Sequence, residues 1–292
     1  MTSLAVDPRT PLDTPGRPIS AAEFDYVRTL VHVRAAIILE PGQEYLVESR
    51  LGPCARTEGF GTLPAMIERL RKGPTSDLHR RAVEAMTNNE TLFFRNSRPF
   101  AMIKHAVLPE LAARHAASHR LHIWSAACST GQEPFSLAIL LEEQLPSLAG
   151  WDVRLTASDI SRAALARARA GRYTQFEIDR GVTPRLLAKY FVRHGREWEV
   201  SAMLRGRVSF EEMNLADHWP AFPRLDLIVM RNVLMYLDPP TRKQIVARAA
   251  RALGRGGYLM VGGSETLTGV DGLFDEVSFE GAVCYRVREG RP

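Results

Sequence analysis

An alternation that begins after residue 120 narrows the folds open to this chain more than any other feature. Short apolar runs, LHIWSAA (121–127), VRLTASD (153–159), VSFEEM (208–213), LDLIVMRN (225–232) and GGYLMVGG (256–263), are separated by stretches of helical spacing at 134–145, 163–170 and 241–253. Strands interleaved with helices need crossover connections, which gives a parallel sheet and an α/β fold. The run AVCYRV (282–287) follows a loop and reads as a further strand, antiparallel and at the sheet edge. Residues 172–207 break the alternation. Thr183 followed by Pro184 predicts a short capped helix there, and Arg193–Val200 a hairpin, so the segment reads as an insertion.

Upstream the pattern is purely helical. Ser20-Ala-Ala-Glu23 is a capping box ahead of the periodic series Phe24, Val27, Val31 and Ile38, which places a helix start near residue 21. A second helix runs from about Thr62 to the Gly73-Pro74 stop, and a third follows Ser76 through Leu78, Val83 and Met86. With 292 residues the chain is long enough for two domains. The expected division is a flexible Pro-rich tail at 1–19, a helical domain at 20–90 and an α/β domain at 91–292.

Composition closes off several function classes. No apolar run approaches the ~20 residues of a membrane helix, and residues 1–20 lack the apolar core of a secretory signal. Cys54, Cys128 and Cys284 are odd in number, far apart and form no CxxC pair, so neither a disulfide framework nor a metal site is expected, and a reducing cytoplasm is. The net charge is +5, but residues 162–207 alone carry eleven basic against four acidic side chains. Such a stretch suggests an acidic partner, a nucleic acid or an acidic protein surface, although the arginine-rich composition of the whole chain explains it as well.

The first βα turn, Ser125-Ala-Ala-Cys-Ser-Thr-Gly-Gln-Glu133, holds one glycine, Gly131, among small residues. It lets a ligand approach the backbone, yet it has neither the glycines of a pyrophosphate cradle nor the lysine of a P-loop. Asp159, at the end of the second strand, is placed to accept from ribose hydroxyls; alternatively it is a simple cap beside Ser161. A ribose without a diphosphate is what S-adenosylmethionine presents. NNETLFFRNSRPF (88–100) packs polar groups around the pair Phe93-Phe94, and MRNVLMYLD (230–238) puts Asn232 and Tyr236 at the carboxyl end of a strand, where open α/β sheets bind ligands. Each also has a plain reading: a helix end with Ser97 as the next cap and the phenylalanines in the core, or a strand cap and a core tyrosine.

In order and spacing, NNETLFFR (88–95), AACSTGQEPFSLA (126–138), ASDIS (157–161), GRYTQFE (171–177), FEEMNL (210–215), VMRNVLMYLD (229–238) and GGSETL (262–267) resemble the CheR-type chemotaxis receptor methyltransferases. The resemblance spans about residues 20–288. It implies a Rossmann-like, class I S-adenosylmethionine-dependent methyltransferase domain, a small all-helical N-terminal domain and an inserted small β-subdomain, here at 172–207. It also implies site residues. Asn89, Thr91 and Arg95 touch the cofactor's methionyl part or line the cleft, Glu133 binds the cofactor from the first turn, and Asp159 holds the ribose. Asn214 and Leu215 flank the adenine, and Asn232 and Val233 lie near the sulfonium. The implied activity is esterification of receptor glutamates, with the cytoplasmic helical bundle of chemoreceptors as partner. A receptor's C-terminal tether peptide is a candidate partner of the inserted subdomain. A monomer is expected, without nucleic-acid binding or membrane insertion.

A glutamate carboxylate is ionised at neutral pH, so methyl transfer to it needs alignment rather than a general base. Arg95 is expected to orient that carboxylate and Tyr236 to assist, while Cys128 reads as an apolar filler. The cluster Arg69, Arg71, Lys72, Arg80 and Arg81, with the basic 162–207 segment, is expected to attract glutamate-rich receptor helices. Two other readings are a methyltransferase acting on nucleic acid or a small molecule, and a non-catalytic S-adenosylmethionine-binding regulatory module.

Overall fold

The computed structural model describes residues 17–144, 148–267 and 271–288. The chain divides between Thr87 and Asn88 into two compact units.

The first unit is helical. Helix α1 (Ala21–Ala35) starts at the capping box, in which the Ser20 hydroxyl accepts from Glu23 N at 3.3 Å and Glu23 Oε2 accepts from Ser20 N at 2.7 Å. Arg17 pairs with the same carboxylate at 2.8 Å and holds it well below the ordinary range, at about 2. The helix stops at Ala36, which turns left-handed at φ 56°, so Ile38 lies beyond it. Helix α2 (Glu44–Thr57) has no counterpart in the sequence reading, because Gly52-Pro53 in its middle reads as a stop. It persists by burying Val47, Leu51 and Ala55, one residue per turn on a single stripe. Helices α3 (Leu63–Lys72) and α4 (Asp77–Met86) follow their caps Thr62 and Ser76 as expected.

The second unit is α/β. Its strands are β1 (Arg120–Ala126), β2 (Asp152–Asp159), β3 (Arg172–Thr174), β4 (Phe191–His194), β5 (Glu197–Val200), β6 (Val208–Glu212), β7 (Leu225–Met230), β8 (Leu253–Val261), β9 (Phe274–Phe279) and β10 (Ala282–Val287). The main sheet has the order β6-β2-β1-β7-β8-β10-β9. The first five are parallel; β10 and β9 are antiparallel. Strand β10 was expected at the edge. It is instead covered by β9, whose alternation of half-exposed polar and apolar residues is too weak to read as a strand. Every residue of β7 is buried, as its apolar run, interrupted by Asp226 alone, requires of a strand covered on both faces. Asp226 within that run accepts from His122 N at 2.7 Å and pairs with His115 at 2.8 Å.

From β1 the chain moves outward through β2 to β6, then returns to β7 and β8 on the other side. The topological switch point therefore lies between β1 and β7, where α/β sheets of this kind place their ligands. The insertion is a small sheet of order β3-β5-β4 with a helix at Pro184–Tyr190. Its aromatic core meets the 88–95 segment: Phe93 is fully buried, edge-on to Tyr173 at 4.9 Å and to Phe191 at 5.5 Å. Gly181 abuts the Phe93 carbonyl so closely that a Cβ would stand 1.9 Å from it.

Candidate active site

Loops meet at the carboxyl ends of β1, β2 and β7. Five of the eight non-glycine residues with positive φ among the described residues lie here or in the segment bonded to these loops: Ala127 and Ser129 after β1, Asn232 after β7, and Phe94 and Asn96 at the end of the 88–96 stretch. Left-handed backbone in such residues persists only where the surroundings enforce it, and it gathers at functional sites.

The turn after β1 is held by its neighbours. Cys128 N donates to Ser158 O at 2.9 Å, Ser129 N to Asp159 Oδ2 at 2.8 Å, and the Ser129 hydroxyl to the carbonyl of Asn89 at 2.8 Å. Gly131, the turn's one glycine, serves packing: at φ 96°, a Cβ would meet Ala168 Cβ at 2.9 Å and the Tyr173 hydroxyl at 3.0 Å. Cys128 is buried and its thiol is pushed well up by that burial, which removes it as a nucleophile.

Asp159 is 6% exposed. Its Oδ1 accepts from Ser161 N at 2.9 Å, while Oδ2 reaches across to the β1 turn; the cap of the helix that follows is Ser161, not Asp159. Two fixed backbone donors thus set the plane of one carboxylate between two loops. Beyond β6, the Asn214 side chain closes a turn on Ala216 N at 3.1 Å and Leu215 is buried beside it.

Glu133, in the first turn of the buried helix Gln132–Glu143, accepts from the Ser125 hydroxyl at 2.9 Å and pairs with Arg231 at 3.1 Å. Burial raises its carboxyl above the ordinary range against the pull of Arg231 and Ser125. Arg231 is itself 2% exposed as a side chain. Its Nη2 donates to the Arg95 carbonyl at 2.8 Å, and its guanidinium lies 5.6 Å from the Phe100 ring centroid. Thus Arg231 ties the β1 helix to the 88–95 segment. Sequence reasoning missed it. Its signal was a charged residue directly after a strand with both faces buried, a place where charge has to be paired.

Within the 88–95 segment, Asn89 is exposed, Thr91 and Arg95 are half-buried, and Arg95 Nη1 donates to the Glu90 carbonyl at 3.0 Å. The Phe93-Phe94 pair splits: Phe94 faces Phe100 at 5.3 Å and its amide donates to Ser136 Oγ at 2.9 Å. The helix that follows is Ser97–Met102, with left-handed Asn96 at its cap position rather than Ser97. After β7, Asn232 is left-handed at φ 59°, Val233 is half-buried, and the Tyr236 hydroxyl accepts from Asn88 Nδ2 at 2.7 Å. The structure therefore joins the segments of Asn89, Arg95, Glu133, Asp159, Asn232 and Tyr236 by direct hydrogen bonds. Asn214 and Leu215 connect through β6, where Met213 N donates to Asp159 O at 2.9 Å.

Two family models match the chain, the CheR methyltransferase all-alpha domain over residues 22–87 and the CheR methyltransferase SAM binding domain over residues 89–283. The chain belongs to the CheR methyltransferase family. It is 35% identical over 271 residues to chemotaxis protein methyltransferase 1 of Pseudomonas aeruginosa, covering 91% of this chain and 98% of that protein. It is 34% identical over 270 residues to chemotaxis protein methyltransferase Cher2 of Pseudomonas putida, covering 91% and 98%. With chemotaxis protein methyltransferase 1 of Vibrio cholerae it shares 35% over 275 residues, covering 92% and 98%. This CheR methyltransferase takes S-adenosylmethionine as its cofactor, and the acceptors present suit that molecule. Two buried carboxylates, Asp159 and Glu133, stand at a turn whose only glycine is spent on packing, so the site offers acceptors to hydroxyl and ammonium groups and no cradle for a diphosphate.

Proposed function

We propose that this methyltransferase esterifies glutamate side-chain carboxylates on the cytoplasmic helical bundle of chemoreceptors. The observation that carries the reading is the bonding of the 88–95 segment to both ligand loops, through Ser129 Oγ to Asn89 O and Arg231 to Arg95 O. A group that holds the acceptor carboxylate is thereby set in fixed register with the groups that hold the cofactor.

The cofactor supplies an electrophilic methyl group when bound. Asp159 holds the ribose, with its carboxylate plane set by Ser129 and Ser161. Glu133 binds the cofactor from the first turn, already oriented by Ser125 and Arg231. Asn214 and Leu215 flank the adenine, Asn232 and Val233 lie near the sulfonium, and Asn89 and Thr91 border the methionyl end. Arg95 orients the incoming carboxylate, since a guanidinium matches its two oxygens. Tight pairing would stabilise the ground state, so orientation, not neutralisation, is the useful part. Tyr236, fixed by Asn88, is the second orienting group. The residues abstract no proton: a glutamate side chain, with an ordinary pKa of about 4.3, is already ionised.

Attraction of an acidic receptor surface rests on fewer residues than the sequence suggests. In 162–207, Arg162, Arg185, Lys189 and Arg207 pair with Glu212, Glu143 and Glu142, which lie outside that segment, and Arg172 and Arg205 share Glu199. In the helical unit, Lys72, Arg80 and Arg81 pair with Glu68, Glu84 and Glu58. Arg69 and Arg71 are exposed and carry no ion pair among the described residues, so they are the cations assigned to the receptor. The inserted sheet, with Val192 62% exposed on edge strand β4, is the assigned place for a receptor tether peptide. The enzyme acts as a cytoplasmic monomer; no helix among the described residues is long and apolar enough to cross a membrane.

Incubation with methyl-labelled cofactor and receptor cytoplasmic fragments tests the assignment. Label on receptor protein that is released by mild base is expected. Label on RNA or a small molecule, base-stable label, or cofactor binding without transfer overturns it.

A further inference from the structure

The segment Gly262–Leu267 has no part in the reaction as described, yet it sets a buried carboxylate beside the site. Glu265 is 7% exposed, and no ion pair neutralises it among the described residues. Backbone amides surround it instead. Its Oε2 accepts from Gly262 N at 2.6 Å and from Asn232 N at 2.7 Å, and its Oε1 accepts from Met235 N at 3.2 Å. The first of these donors belongs to its own turn, closed by Glu265 N on Gly262 O at 2.9 Å. The other two belong to the loop after β7. One carboxylate therefore spans the loops that follow β7 and β8.

The surroundings are built for this contact. Asn232 is left-handed at φ 59°, a conformation that asparagine tolerates better than most residues, and the amide-to-carboxylate bond holds its N–H in that turn. At Gly262 a Cβ would stand 2.7 Å from Glu265 Oε2, 2.8 Å from Asn232 Nδ2 and 3.0 Å from Asn232 N. The backbone there has no positive φ, so glycine is required by the approach of the two loops. A carboxylate suits three converging N–H groups because both of its oxygens accept; glutamine would turn an amino group toward one of them.

We propose that Glu265 is a positioning residue for methyl transfer. It fixes the Asn232–Tyr236 loop in the turn that presents Asn232 and Val233 to the cofactor and Tyr236 to the substrate carboxylate. This rests on the roles given to that loop under the proposed function.

The test compares Glu265→Gln, Gly262→Ala, Tyr236→Phe and the double variant Glu265→Gln/Tyr236→Phe. In cofactor-free protein, amide hydrogen exchange over residues 230–238 is expected to rise in Glu265→Gln while that of β1 stays at the parent rate. Loss of a charge-assisted contact is expected to lower kcat by about ten- to a hundredfold. In the Tyr236→Phe background the same substitution is expected to cost far less, because both act through one loop. Gly262→Ala reaches the same atoms without altering charge and is expected to repeat the pattern. Parent-like exchange and kcat in Glu265→Gln overturn the proposal. So does exchange raised across the whole sheet with an undiminished loss in the Tyr236→Phe background, which marks a residue of general stability. If Tyr236→Phe and Asn232→Ala both keep parent kcat and parent affinity for S-adenosylhomocysteine while exchange still rises in Glu265→Gln, the roles given to the loop fail and the proposal fails with them.

Discussion

Replacing Arg231 by methionine removes the charge that balances Glu133 while keeping an unbranched apolar side chain of similar reach. Both partners are buried, at 2% and 12% side-chain exposure, so the loss is not softened by solvent. Breaking a buried pair by deleting one member costs about 3–5 kcal/mol, because the other charge stays behind unpaired. For a unit of this size about 2–4 °C accompanies each kcal/mol, giving a fall of about 6–20 °C in Tm. The pH dependence carries more information than the size. Burial already raises the Glu133 carboxyl above its ordinary value, with Arg231 pulling the other way. An acid whose folded pKa is raised contributes stability below its unfolded pKa and loses it as pH rises through the folded value. Without Arg231 the folded value moves up further and that window widens toward neutrality. Arg231→Met is therefore expected to lose more Tm at about pH 7.5 than at about pH 5, and Glu133→Gln added to it is expected to restore part of the loss at the higher pH. Scanning calorimetry of the parent, both single variants and the double variant at the two pH values measures this. A deficit that is the same at both pH values, with no rescue by Glu133→Gln, refutes the pairing as the source of the effect.

Asp159→Asn keeps the shape of the carboxylate and weakens it as an acceptor, so S-adenosylhomocysteine affinity measured by calorimetry is expected to fall about ten- to a hundredfold; unchanged affinity removes Asp159 from the ribose site. Arg69→Glu with Arg71→Glu is expected to raise KM for receptor at low salt, to leave S-adenosylhomocysteine affinity unchanged, and to converge with the parent as ionic strength rises, since exposed charges are screened beyond about 8 Å at physiological salt. A methylation rate indifferent to both salt and this substitution excludes steering by these two arginines.

The parallel core of the fold was legible because its signals are local and redundant. Apolar runs such as 225–230, caps such as Ser20 and Thr183, and the Pro184 start each specify their element without help from tertiary context. Helix α2 and strand β9 were not legible, since tertiary burial overrides Gly52-Pro53 in one and supplies the pairing partner in the other. The same divide runs through the site. Asp159 and Asn232 are conspicuous because they stand at the ends of strand runs, and Tyr236 because it follows in the same motif. Arg231 and Glu265 act through partners 98 and 33 residues away in the chain, and no spacing rule reports such distances. Charge counting was incomplete for a related reason: Glu142, Glu143 and Glu212, which pair with four of the basic residues of 162–207, lie outside that segment and are brought there by the fold.

The proposed function separates two tasks, assigning cofactor binding to Asp159 and Glu133 and orientation of the acceptor carboxylate to Arg95. Measuring kcat on a receptor fragment and S-adenosylhomocysteine affinity side by side for Arg95→Ala tests that separation. The expected result is a fall in kcat of about ten- to a hundredfold, the scale of a lost charge-assisted contact to the reacting group, with affinity for S-adenosylhomocysteine at the parent value. An affinity that falls in proportion to kcat would make Arg95 a cofactor ligand and leave the carboxylate without its holder.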